Sequence, residues 1–180
     1  MKGSFMRYLP QALAGGLIAT AALALPASAH VLLENKEAAI GSHVKAVFVV
    51  PHGCADTDTI KLRVKIPEGV IAVEPDAKTG WTIETTRGKY AADYDYRGGK
   101  VSEGVLEVDW NGGRVPAKTR ETFMVDVFLT DALKPNTTLY FPVVQECEQG
   151  TSRWIEIPPE GADSHGYKWP APGIKLLPKS

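Results

Sequence analysis

The chain has 180 residues, 44% of them hydrophobic and 23% charged, and a formal net charge of −1. A charge that small, with no basic run, leaves no electrostatic footprint for nucleic acid. The length is enough for one domain with a substantial core, and neither an internal repeat nor a second domain is visible.

The first element is a leader. Met1 to Ala29 opens with Lys2 and Arg7, runs through an apolar stretch from Ala12 to Leu25, and ends Pro26-Ala27-Ser28-Ala29. A basic start, a short alanine-rich apolar run and an Ala-x-Ala end predict a secretory signal peptide cut after Ala29. The apolar run is too short to favour spanning a bilayer, and no cysteine near the cut offers a lipid anchor. Removing Lys2 and Arg7 with no acid moves the formal charge from −1 to −3 and leaves 151 residues. The expected location is periplasmic or extracellular, with no membrane span after processing and His30 as the first residue.

The rest reads as short β-type runs with no amphipathic helix. Lys45 to Val50 is apolar on both parities, as in a strand covered on both sides. Thr59 to Ile66 alternates strictly, with Ile60, Leu62, Val64 and Ile66 on the buried face and Lys61, Arg63 and Lys65 on the other. Further runs are Trp81 to Thr86, Lys89 to Tyr96, Val105 to Trp110, Glu121 to Leu129, Thr138 to Val144 and Arg153 to Ile157. Pro67-Glu68-Gly69, Thr79-Gly80, Arg97-Gly98-Gly99, Asn111-Gly112-Gly113 and Lys134-Pro135-Asn136 between them are turn chemistry. Eight or nine such strands predict an all-β, antiparallel sandwich of immunoglobulin or cupredoxin type over residues 30–158. Residues 159–180, rich in Pro and Gly, read as a tail packed on the domain or extending from it.

Cys54 and Cys147 fall in an oxidising compartment, which predicts a disulfide contributing on the order of 4 kcal/mol for so long a loop. The alternative is a pair of thiolates for Cu(I), although their spacing carries no metal-ligand signature. Tyr90, Asp93, Tyr94, Asp95 and Tyr96 suit an alternating hairpin better than a ligand site.

His30 carries the chemistry that processing creates. A first-position histidine offers its α-amine and imidazole Nδ1, which close a six-membered chelate ring on one ion. The amine deprotonates readily, with an ordinary value of about 7.7–8.0. Nitrogen-rich, tetragonal coordination suits Cu(II), which also tops the divalent affinity order.

The chain resembles the YcnI-like (DUF1775) family of secreted copper-binding domains. The matching stretches are His30-Val31, Gly41-Ser42, Val50-Pro51-His52-Gly53-Cys54, Ile66-Pro67-Glu68-Gly69-Val70, Gly80-Trp81 and Trp110-Asn111-Gly112-Gly113. Phe141-Pro142-Val143-Val144-Gln145, Cys147, Trp154 and Pro170-Ala171-Pro172 follow in order. No single piece is specific, but their number and order are.

The resemblance implies Cu(II) held by a single-histidine brace. In such a brace the N-terminal histidine gives amine and imidazole, a later strand gives a carboxylate, and a tryptophan lies close to the ion. By motif the histidine is His30 and the tryptophan Trp154, near the metal rather than bound to it. Where the family often shows Asp-Glu-Phe this chain has Glu121-Thr122-Phe123, so Glu121 stands opposite the Asp; one residue of slip would change its face. Phe123, Val125, Val127 and Leu129 share a parity with Glu121, and a carboxylate at the inward end of a core strand needs a partner: a metal or an arginine. Glu107 and Asp126 are the next acids to consider. Trp154 has the parity opposite to Ile155 and Ile157, so it faces away if those two face the core.

His43, His52 and His165 lack supporting spacing, and His52 reads as part of the Pro-His-Gly-Cys turn. The function implied is a copper chaperone or store serving a copper-transport or chaperone partner, and not an enzyme. Two alternatives stand beside it: a copper oxidase or polysaccharide oxygenase, which would need a second histidine nitrogen, and a metal-free interaction sandwich. No Ser-His-Asp, nucleotide-loop or paired-carboxylate motif points to another catalytic class.

Overall fold

A computed structural model describes residues 30–162 and 166–179. The leader and its cleavage point lie outside the described residues, as does His165.

Among the described residues twelve strands follow in order: β1 (Leu32–Leu33), β2 (Glu37–Ala39), β3 (Ser42–Val50), β4 (Thr59–Lys65), β5 (Val70–Pro75), β6 (Thr82–Tyr96), β7 (Gly99–Val115), β8 (Glu121–Leu129), β9 (Thr138–Tyr140), β10 (Val143–Cys147), β11 (Thr151–Trp154) and β12 (Gly173–Leu177). They form a four-stranded sheet β1-β3-β8-β5, a five-stranded sheet β11-β10-β4-β7-β6 and a small sheet β2-β12-β9. All pairings are antiparallel except β12 with β2. The expected antiparallel sandwich is therefore present, with more strands than the eight or nine apolar runs suggest. The added strands β1, β2, β5 and β12 are two to six residues long, too short to show a clear period.

The two large sheets face each other across an apolar core. On β8, Phe123, Val125, Val127 and Leu129 are buried and alternate with half-exposed residues, a period of two with one face inward. Trp110 from β7 meets Phe123 edge-on at 5.4 Å, and Phe48 from β3 meets Phe141 at 5.7 Å. Geometries of this kind add to the burial of the rings themselves.

Three expectations need correction. Ile60 is 38% exposed, whereas Leu62, Val64 and Ile66 are buried. The β4–β7 register shifts between Thr59 and Lys61, so the alternation begins only at Leu62. Asn111-Gly112-Gly113 is not a turn between strands but a bulge inside the seventeen-residue β7. Gly112 takes φ 74°, and a side chain on Gly113 would collide with the Trp81 ring. The segment after Pro158 is no mere covering. Ile174 and Leu176 of β12 are buried in the core while Lys175 between them is exposed.

The Arg97-Gly98 turn does join β6 and β7, with positive φ at both residues, as a tight hairpin requires. Tyr94, in the acidic and aromatic cluster, donates its hydroxyl to Glu68 Oε1 at 2.6 Å. Burial, reinforced by that hydrogen bond, pushes its phenol up to about 12. The Cys54–Cys147 disulfide is formed, with 5.9 Å between Cα atoms, and fixes the turn after β3 to the end of β10.

Candidate metal centre around His30

His30 precedes β1 at one side of the sandwich, where β1 ends one sheet and β11 ends the other. Its imidazole meets the Trp154 indole edge-on, with ring centroids 5.6 Å apart. The Trp154 ring meets Trp169 in the same manner at 4.8 Å. His30 also lines a shallow hollow with Leu32, Lys36, Thr138 and Tyr140.

Trp154 faces the core at 3% exposure, while Ile155 and Ile157 are 44% and 56% exposed. Trp154 and the two isoleucines thus face opposite ways, as their parity requires, but parity alone does not set which side is the core. Register supplies the direction: Trp154 stands opposite Val143, Val143 opposite Val64, and Val64 opposite Val108, a row that is buried throughout. β11 ends at this residue, and the chain turns through an Ile155 N–H to Arg153 carbonyl bond.

Three further residues, Gln145, Trp169 and Glu156, hold the Trp154 ring or its neighbour in place. Gln145 accepts the indole N–H at 3.1 Å. Trp169 packs on the ring. Glu156 holds Trp169 in place, accepting its backbone N–H and exchanging main-chain bonds with Trp169 and Ala171. The only earlier signal for Gln145 was its place in the Phe141 to Gln145 stretch, and for Trp169 its place before Pro170.

Glu121 lies on the inward parity as expected, but its partner is a lysine. Lys78 Nζ approaches Glu121 Oε1 at 3.1 Å, donates to the Thr122 carbonyl at 2.9 Å and sits 4.8 Å from the centroid of Phe123. Burial raises the Glu121 carboxyl, but the Thr122 N–H and the Lys78 ammonium outweigh it and hold the group below its ordinary value. In the register, β1 and β8 flank β3 at the same level: Leu32 pairs with Val49, and Val49 with Thr122. Glu121 thus lies two strand spacings from the start of β1, about 10 Å, with its carboxylate turned to the β5 side.

The other candidates lie apart from His30. Asp126 pairs with Lys45 on the outer face, and Glu107 stands on β7 opposite Lys65 and Thr86. His43, at the far end of β3, packs against Phe128 and Tyr96. The His52 ring turns to the Gly53 carbonyl and lines a separate hollow with Ala117 and Lys118. Among the described residues no group of three or more His, Cys, Asp or Glu side chains could hold a metal ion. Among them, too, no helix is long and apolar enough to cross a membrane.

Comparison with known proteins bears on the fold and the family. An uncharacterized protein from Nocardia farcinica, whose crystal structure shows an immunoglobulin-like fold, is similar with a TM-score of 0.61. It is 22% identical, over 83% of this chain and 99% of its own. No curated protein matches. Residues 30–176 match the family described as a domain of unknown function, DUF1775, a stretch that opens on His30, and the chain belongs to that family.

Proposed function

We propose that the chain is exported, cut after Ala29, and carries Cu(II) at its new N-terminus as a periplasmic or extracellular copper chaperone or store, handing the ion to a partner protein. The observation that supports this reading best is the edge-on contact of His30 with Trp154 at the residue where the family match begins. The free His30 amine and its imidazole Nδ1 supply two nitrogens to one ion, and the buried indole keeps water from one side of the ring. In the full chain that nitrogen is part of the Ala29–His30 peptide bond, so the donor set is complete only after cleavage. Glu121, within two strand spacings of β1, is the carboxylate that exchanges Lys78 for the ion.

The test compares the processed chain with one that keeps a single residue before His30. The processed chain takes up about one Cu(II) with tetragonal nitrogen and oxygen coordination and quenches tryptophan emission as it does so. The extended chain loses most of that affinity. Equal affinity in the two chains would sink the reading. Glu121→Gln weakens uptake or changes the Cu(II) spectrum; an unchanged spectrum removes Glu121 from the site.

A further inference from the structure

Gln145 is 1% exposed on β10, with Val143 buried on the same side of the strand. Its Nε2 donates to the His52 carbonyl and to Thr59 Oγ1, each at 2.8 Å, and its Oε1 accepts from Trp154 Nε1 at 3.1 Å. These partners fix the amide's orientation, since only the nitrogen can meet a carbonyl and only the oxygen an indole N–H. Packing alone does not call for an amide here, because methionine fills a similar volume without needing partners. The three partners come from different elements. His52 lies in the turn fixed by the Cys54–Cys147 disulfide, Thr59 opens β4, and Trp154 closes β11.

The indole is therefore held at its nitrogen by Gln145 and packed by Trp169, and it is this ring that His30 abuts. Torsions from sp³ to sp² carbon, such as tryptophan χ2, are broad. The hydrogen bond at Nε1 selects one setting, because any other leaves a buried donor unpaired.

We propose that Gln145 is a positioning residue for the His30 site: it sets the rotation of the Trp154 indole, and through it the place of the His30 imidazole. It touches neither the imidazole nor a ligand atom. The positioning belongs to the metal-free chain, and only its effect on copper rests on the function proposed above.

The experiment uses Gln145→Met in the processed chain. The four tryptophans give four indole N–H signals by NMR, and loss of one in Trp154→Phe assigns the one that matters. In Gln145→Met the protein still unfolds cooperatively. The Trp154 N–H signal moves upfield and exchanges faster, and the ring-current shift of the His30 imidazole protons shrinks. Cu(II) affinity falls by roughly tenfold, as is usual when a support behind a metal ligand is removed, and the EPR hyperfine pattern changes. Thr59→Val removes one of the two anchors of the amide. It moves the same signals in the same direction by less, and carries the test if Gln145→Met does not fold.

Unchanged His30 signals in a folded variant overturn the proposal whatever copper does. Shifted His30 signals with unchanged Cu(II) affinity and EPR overturn its role at the metal. If the unsubstituted chain takes up no Cu(II) while the His30 signals still shift on substitution, the copper reading falls and the positioning stands.

Discussion

Opening the Cys54–Cys147 bond tests how much of the fold's stability resides in its unfolded state. The two cysteines are separated by 93 residues in sequence. For a loop of that size the chain-entropy relation gives about 16 cal/mol/K, or about 4.6 kcal/mol at 25 °C. That is a large share of the 5–15 kcal/mol that a typical domain commands. Both side chains are buried but small, so the double replacement Cys54→Ala with Cys147→Ala adds only a modest packing loss. Urea unfolding followed by tryptophan fluorescence reads the effect. With a slope of about 2 kcal/mol/M the midpoint falls by about 2 M. A fall under about 0.5 M would refute the loop-entropy reasoning. It would mean that local bonds hold the two turns together without the cross-link. The Glu148 N–H to Asp58 carbonyl and Thr57 Oγ1 to Gln149 carbonyl bonds are the ones placed to do so.

Two further predictions concern β12 and Glu121. Leu176→Ala empties a site that is 1% exposed and costs about 2–5 kcal/mol, read as a lower thermal midpoint; a loss under about 1 kcal/mol would mean that β12 is peripheral. Glu121 has its folded-state value held below its ordinary value of 4.5. Its contribution is therefore present above that ordinary value and is lost as pH falls through the depressed one. Glu121→Gln flattens the stability profile in this acid window. The change is at most about a few tenths of a kcal/mol, because the carboxylate is 38% exposed and its ion pair is screened. Identical acid limbs for the two proteins would show that the Lys78 pair contributes nothing to folding.

Much of the sandwich was legible because its longer strands obey a period of two. Glu121 to Leu129 has the inward face that its alternation predicts. β12 was not legible, although Ile174-Lys175-Leu176 alternates, because five residues behind a Pro-rich run carry little weight against loop chemistry. Asn111-Gly112-Gly113 misled for a physical reason. The same glycine freedom that makes a turn also makes a bulge, and only pairing with β4 and β6 separates the two. At the candidate site, His30 and Trp154 were both singled out in the sequence, and the structure brings their rings together. The direction of Trp154 and the role of Gln145 were not legible, because each depends on strand register, which long-range pairing sets. Glu121 was correctly expected to need a partner; that the partner is Lys78 follows from the loop after β5, which no local pattern in β8 encodes.

The pairing of β12 with β2 has a consequence for when the protein can fold. Residues 173–177 complete a sheet with residues 37–39, so the two ends of the domain meet. A nascent chain lacking its last strand cannot close this sheet or cover the core that Ile174 and Leu176 seal. Contacts so distant in sequence also form slowly. The domain therefore cannot close until residues 173–177 have been made, and a chain cut before them leaves β2 without its partner strand and the places of Ile174 and Leu176 in the core unfilled.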